Sequence, residues 1–257
     1  MKKVWITALE HDQKQVQQIL GEVTQYGLDG NGHFWTDDLK QMAWLEPKES
    51  LLDKDNVIWI LLGTQKSLEI ESVRYGLTLL TLTLQAAKGC GFPILLVDTK
   101  GDMNSESLPA PLMGIDVISS GSSSLGAKIV AKAHVPVKKI DTEYRIDVHA
   151  NPHFGVWFEI GPSKESVWNG AMLGVCGGDI DAHGVGTAGR LPHKAVLEYQ
   201  MRGLKLKLGE QEYSAWAVQN RIDRDHSYYI RVQGIPKSIV FGSYTTEDDA
   251  VMNVITF

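Results

Sequence analysis

Apolar runs alternate with helical apolar spacings through the first half of the chain. The run at 4–9 is typical of a buried strand, and the next apolar residues are spaced by three and four, which places them on one helical face. These residues are Val16, Ile19, Leu20 and Val23. Continuous apolar runs at 57–62 and 93–97 predict central strands covered on both faces. A long helix is predicted between them, over 67–88. This alternation indicates a parallel sheet with crossover helices.

Shorter segments complete this pattern up to residue 136. Residues 33–35 predict a short second strand, and Leu51 and Leu52 a short helix. Residues 102–114 read as a loop, followed by a last strand at 114–119 and a helix over 122–133. We therefore expect residues 1–136 to form one α/β domain.

The pattern changes at Pro136, after which polar and apolar positions alternate. Such alternation, interrupted by Gly, Asn and Asp, predicts antiparallel strands in a sandwich or open barrel. The predicted strands are 143–148, 155–160, 196–208, 213–222, 228–232 and 238–244. Residues 161–192 are rich in glycine and are expected to form a loop. Residues 137–257 thus predict a second, β-rich domain.

The composition of the chain limits the location and the kinds of binding partner that we expect. The chain has 257 residues, 43% of them apolar and 22% charged, which suits two globular domains. Its two cysteines are too few for a disulfide framework, so a reducing, cytoplasmic location is expected. A net charge of −6 argues against nucleic-acid binding. The longest apolar stretch, 76–87, is well short of the roughly 20 residues needed to cross a bilayer, so no membrane partner is expected.

Several residues of the first domain carry a family resemblance. Val4 to Thr7 open the sheet, Trp35 to Asp38 begin the loop after the second strand, and 55–62 form the third strand. The next helix is entered through Gln65 to Ser67. Together these features of residues 3–134 resemble the Toll/interleukin-1 receptor (TIR) domain family, or a related flavodoxin-like α/β fold. The resemblance implies an interaction domain that associates with itself or with a protein partner.

Enzymatic members of that family cleave NAD through a glutamate on the helix after the third strand, in a pattern like S-x-W-x-x-x-E-L. Aligned with the end of this pattern, Gly76 stands at the glutamate, Ser72 at the tryptophan and Ile70 at the serine. Glu71 lies five residues upstream of Gly76, which is more than one helical turn. The resemblance therefore implies a scaffold without this catalytic group.

Ligands of doubly wound sheets collect at the carboxyl ends of the strands. The loops there contain a set of candidate ligand-binding residues: Thr7, Glu10, His11, Gly63, Thr64, Asp98, Ser119, Gly121, Ser122 and Ser123. The loop 119–124 is the most suggestive, because hydroxyls and free N–H groups at a helix start can hold a phosphate. The alternative is an N-capped turn without a ligand, since serine is favoured at caps.

The glycine-rich segment contains a candidate metal site. Asp179, Asp181 and His183 stand at alternate positions, which on a strand would point all three side chains the same way. Oxygen and nitrogen ligands of this kind suit a divalent metal. The alternative is a mobile loop without a metal.

Three functions remain open at this point. The first is a non-catalytic binding or signalling protein, whose β-rich domain recognises a ligand or partner. The second is an enzyme acting on a nucleotide or another phosphorylated small molecule held by loop 119–124. The third is a metal-dependent hydrolase using the segment 179–193. The sequence names no cofactor.

Overall fold

The computed structural model describes residues 1–163, 165–244 and 251–257, and it divides into two compact units. These are Met1–Ile140 and Asp141–Phe257, so the division falls just after the predicted change of pattern. In the described residues, no helix combines the length and the apolar character that a membrane crossing requires.

The first unit is built on a five-stranded, all-parallel sheet in the order β2-β1-β3-β4-β5. The strands are β1 (Lys3–Ala8), β2 (Asp29–Phe34), β3 (Asn56–Gly63), β4 (Ile94–Asp98) and β5 (Asp116–Ser119). The order reverses between β1 and β3, which creates a topological switch point at the carboxyl edge. The predicted α/β fold class is confirmed.

Helices cover both faces of this sheet. They are α1 (Gln13–Gln25), α2 (Lys48–Leu52), α3 (Gln65–Glu69), α4 (Glu71–Lys88) and α5 (Leu125–His134), with single 3-10 turns at Ala43–Leu45, Ser105–Ser107 and Ala110–Leu112. α1 and α5 share one apolar core with the sheet, in which Ile19 and Ile129 pack with Ile6, Ile60 and Val97. α2 and α4 contact one another, and right-handed crossovers place them on the opposite face.

The helix predicted over 67–88 is broken in two at Ile70, which is a correction. Ile70 has an extended backbone, with φ −69° and ψ 117°. Thr64 and Ser67 form a capping box at the start of α3, and Arg74 Nη1 donates across the break to Leu68 O at 3.2 Å. These caps are side-chain contacts that apolar spacing does not reveal.

α4 is buried over almost its whole circumference. Residues 75–84 are all buried, three threonines among them. The hydroxyls of Thr78, Thr81 and Thr83 donate to the carbonyls one turn earlier, at 2.7 to 2.9 Å. A threonine satisfied in this way places no unpaired hydroxyl in the core, so the helix tolerates full burial.

The second unit consists of two antiparallel sheets. Their strands are β6 (Tyr144–Asn151), β7 (Gly155–Pro162), β8 (Ala171–Cys176), β9 (Asp179–Thr187), β10 (Met201–Leu208), β11 (Gln211–Val218), β12 (His226–Gln233), β13 (Ser238–Ser243) and β14 (Met252–Thr256). One sheet has the order β10-β11-β8-β13-β14 and the other β6-β7-β12-β9. Ring contacts join the two layers, such as Tyr144 against Phe241, with centroids 4.9 Å apart. The predicted antiparallel β architecture is confirmed.

The prediction of a loop over 161–192 is wrong, because this segment contains β8 and β9. Some of its glycines allow neighbouring residues to pack closely against the strands, and they do not only form turns. A Cβ at Gly174 would lie 2.9 Å from the Cβ of Ala215, and one at Gly184 would lie 2.9 Å from the Cβ of Ala195. Glycine in a strand commonly marks such a close approach. Strand β14 was also not predicted from the sequence.

Candidate functional site

The carboxyl edge of the parallel sheet brings together some of the predicted ligand residues. Thr64 Oγ1 donates to the carboxylate of Glu10, which links the loops that follow β1 and β3. His11 stacks on Phe34, with ring centroids 4.5 Å apart. Thr7 is fully buried and accepts a hydrogen bond from Trp59. These contacts hold the loops of this edge in place.

Asp98 and Gly63 shape the same edge. The Asp98 carboxylate is buried and accepts three backbone N–H groups, from Lys100, Gly101 and Met103, each at 2.9 Å. A Cβ at Gly63 would lie 2.9 Å from both the Leu9 and Ser67 side chains. Asp98 therefore stabilises the turn after β4, and Gly63 permits close packing of the neighbouring loop.

The loop 119–124 forms a compact serine turn before α5. Ser119 Oγ accepts from the Gly121 N–H at 3.3 Å, and the hydroxyls of Ser122 and Ser124 lie 2.9 Å apart. Ser123 is exposed. The hydroxyls thus bond within the turn, and the proposed phosphate site stays a prediction.

The position aligned with the TIR glutamate lies in a tightly packed part of α4. A Cβ at Gly76 would lie 2.8 Å from the ring of Trp35 and 3.2 Å from the Cβ of Trp44. Both tryptophans are buried. The Trp35 ring and the Trp44 Cβ occupy the space that a longer side chain at this position would need.

The predicted metal residues of β9 are not brought together. A bulge in the pairing of β9 with β12 inserts Asp181 as an extra residue, so the expected alternation does not hold. Asp181 pairs with Arg231 at 2.7 Å, on one face of the sheet. His183 is buried on the other face, where it bonds to Tyr228 Oη at 2.8 Å and to Gln200. Asp179 is exposed.

A different group of polar side chains meets on the outer face of the four-stranded sheet. Strand pairing places Asp147 and Tyr229 on either side of Glu159, in one row across β6, β7 and β12. His149 and Ser227 lie on the same face and bind Glu159. We call these five residues the Glu159 cluster.

Glu159 is the centre of this cluster and is only 4% exposed. Its Oε2 lies 2.6 Å from His149 Nε2, and its Oε1 accepts from Ser227 Oγ at 2.7 Å and from the Gly189 N–H at 2.8 Å. Burial raises the pKa of Glu159, but these hydrogen bonds outweigh it and hold the pKa below its ordinary value. The site therefore keeps a negative charge in a buried position.

Residues 188–195, which we call the strap, cross this face of the sheet. The Arg190 N–H donates to Tyr229 Oη at 3.1 Å, and Tyr229 Oη donates to Thr187 O at 2.5 Å. A Cβ at Gly186 would lie 2.7 Å from the Cβ of Pro192, so the glycine allows the strap to lie directly on β9. Burial, with the charge of Glu159, raises the pKa of Tyr229, which keeps its hydroxyl protonated as a donor.

Three residues of the Glu159 cluster are close enough together to be candidate ligands of a metal ion. One ligand atom from each of Asp147, His149 and Glu159 lies within 4.8 Å of the other two. Among the described residues, no other three His, Cys, Asp or Glu side chains come together in this way. The sequence contained a partial signal, since Glu159 interrupts the apolar run 156–160, whereas Asp147 and His149 stand at the ordinary polar positions of an alternating strand. The signal was insufficient because it did not reveal which positions stand opposite one another.

Comparison of the sequence with models of known protein families gave no match, and comparison with curated proteins gave none either.

Proposed function

We propose that this protein is a cytoplasmic, non-catalytic binding or signalling protein. Its β-rich unit recognises a ligand at the Glu159 cluster, and its α/β unit, as a TIR-like or flavodoxin-like scaffold, associates with itself or with a protein partner. The observation that carries this proposal is the buried, charged carboxylate of Glu159 on the outer face of a sheet.

Glu159 supports ligand recognition for an energetic reason. Removing a charge from water costs several kcal/mol, and the cost is offset only by well-placed partners. An outer sheet face needs no buried charge for folding, yet His149, Ser227 and Gly189 are all directed at this one. Because these groups are already held in place before a ligand arrives, less conformational entropy is lost when the ligand binds.

Packing in α4 supports the non-catalytic part of the proposal. Trp35 and Trp44 fill the space at Gly76, and Thr7, Thr64 and Asp98 make hydrogen bonds within their own unit. The α/β unit is therefore proposed to act through its surface.

Ligand recognition is tested by thermal unfolding of the full chain with NAD, ATP, spermidine and chlorides of divalent metals. A probe that binds the folded chain raises the midpoint temperature by mass action. We expect at least one probe to stabilise the wild type and Asp223→Asn, but not Glu159→Gln or His149→Gln. Asp223 is the control because it pairs with His226 on the same unit and is not part of the Glu159 cluster. Equal shifts in all four chains, or no shift with any probe, would contradict ligand recognition at the cluster.

The non-catalytic part has its own test. The full chain is incubated with NAD at high protein concentration, and free nicotinamide is measured over time. We expect none above the rate without protein, and sedimentation at increasing protein concentration is expected to show self-association. Release of nicotinamide in proportion to the protein would contradict this part of the proposal.

A further inference from the structure

We infer that Asp147, His149 and Glu159 form a binding site for one divalent transition-metal ion. This inference rests on the proposed function and deepens it, because it names the ion as part of what the Glu159 cluster recognises.

The donor set selects the class of ion. Two carboxylates and one imidazole combine oxygen and nitrogen ligands, as in protein sites for zinc, manganese, iron and cobalt. Calcium and magnesium prefer oxygen ligands alone and bind imidazole poorly. The site therefore favours ions such as Zn²⁺ or Co²⁺ over Ca²⁺ and Mg²⁺.

The strand register provides the geometry. Asp147 and His149 are two residues apart on β6 and project from one face, and Glu159 stands directly opposite Asp147 on β7. All three ligand atoms lie within 4.8 Å of one another. Sites carried by paired strands are held more firmly than sites on loops.

His149 and Glu159 already stand at nearly the separation of two ligands of one ion. His149 Nε2 and Glu159 Oε2 lie 2.6 Å apart in a hydrogen bond. Adjacent ligands of a tetrahedral ion with bonds of about 2.1 Å are roughly 3.4 Å apart. These two atoms therefore need to separate by roughly 0.8 Å when the ion takes the place of that hydrogen bond.

The surrounding groups orient the carboxylate. Ser227 Oγ and the Gly189 N–H both donate to Oε1 of Glu159, which leaves Oε2 directed at His149. Hydrogen bonds to the second oxygen of a ligating carboxylate are a regular feature of metal sites and raise affinity.

Charge and access favour a cation. Two carboxylates that stand opposite one another on neighbouring strands supply two negatively charged oxygen ligands to a divalent ion. The side chain of His149 is 20% exposed, whereas that of Glu159 is 6% exposed. The imidazole thus gives solvent access to an otherwise buried group.

The test is titration of the full chain, first freed of metal by chelator and dialysis. Heat of binding is measured with ZnCl₂, CoCl₂, MgCl₂ and CaCl₂, and the visible absorption of Co²⁺ reports the coordination number and geometry of the bound ion. We expect one Zn²⁺ or Co²⁺ per chain in the wild type. Affinity is expected to fall at least about ten-fold in Asp147→Asn, His149→Gln and Ser227→Ala. The control His226→Gln removes a histidine that pairs with an aspartate outside the cluster, and it should bind as the wild type does.

The results of these experiments distinguish a failure of the metal site from a failure of the proposed function. Absence of a saturable, one-ion event in the wild type would overturn the metal site, whatever the variants do. Equal affinity in wild type and variants would overturn it as well, and circular dichroism establishes that each variant is folded. If an organic probe still depends on Glu159 while no ion binds, the metal site fails and ligand recognition stands. If neither depends on Glu159, both fail.

Discussion

Trp59 donates a hydrogen bond from its indole nitrogen to Oγ1 of Thr7, at 2.9 Å, and both residues are fully buried in the parallel sheet. The two residues lie on the neighbouring strands β1 and β3, next to the topological switch point. This bond satisfies a polar group in the core at the base of the carboxyl edge, and its loss should be measurable.

Thr7→Val is expected to destabilise the protein by about 1–3 kcal/mol, because it keeps the shape but leaves the Trp59 N–H buried without an acceptor. Thr7→Ser keeps the acceptor and is the matched control, with a smaller loss from the missing methyl group. Urea unfolding followed by tryptophan fluorescence measures both. Equal stability of wild type and Thr7→Val would show that the bond contributes nothing.

His33 is expected to make stability depend on pH. Burial lowers its pKa from 6.5 to about 4, and its Nδ1 accepts a hydrogen bond from Trp5 Nε1 at 3.2 Å. Below pH 6.5 the unfolded chain takes up a proton that the folded chain does not, so stability is lost as pH falls from about 6.5 to about 4. His33→Asn should flatten that part of the stability curve, measured by urea unfolding at pH 7, 6 and 5. An unchanged slope in the variant would contradict this role.

Gly76→Ala is expected to destabilise the α/β unit, although alanine is the better helix former. The added methyl would meet Trp35 at 2.8 Å, and overpacking of this kind costs typically about 1–3 kcal/mol. Gly21→Ala is the matched control, because Gly21 lies on α1 with nothing within 4 Å of its position. That change should stabilise by roughly 0.5–1 kcal/mol. Thermal unfolding compares the two, and stabilisation by Gly76→Ala would refute the packing argument.

Gly186→Ala is expected to displace the strap. The new Cβ would lie 2.7 Å from the Cβ of Pro192, so residues 188–195 must move away from β9. The Gly189 and Arg190 N–H groups then lose Glu159 and Tyr229 as acceptors, and their hydrogen exchange should become faster. The double variant Gly186→Ala/Pro192→Gly removes the clash and should restore slow exchange. Unaltered exchange in the single variant would mean that the strap is held by other contacts.

Local pattern was enough to predict most of the first unit. The runs at 57–62 and 93–97 are apolar at every position, which is the signature of strands covered on both faces, and β3 and β4 lie there side by side. Apolar spacing did not reveal the break at Ile70, where a side-chain hydrogen bond joins Arg74 to Leu68 O. The sequence also led to the wrong prediction of a loop where β8 and β9 lie. Glycine favours turns by its local propensity, but the glycines of these two strands allow close packing against neighbouring residues.

The sequence alone determined the class of each unit, because periodicities of two and of about 3.6 are local properties that a single segment displays. It did not determine the Glu159 cluster. Ser227 lies 68 positions from Glu159 along the chain and Asp147 stands opposite Glu159 only through the pairing of β6 with β7. A bulge likewise moved Asp181 away from His183. Register between distant strands is set when a whole sheet buries its apolar face, and a shift of one residue would reverse every side chain. The meeting of these polar groups is therefore a property of the folded chain.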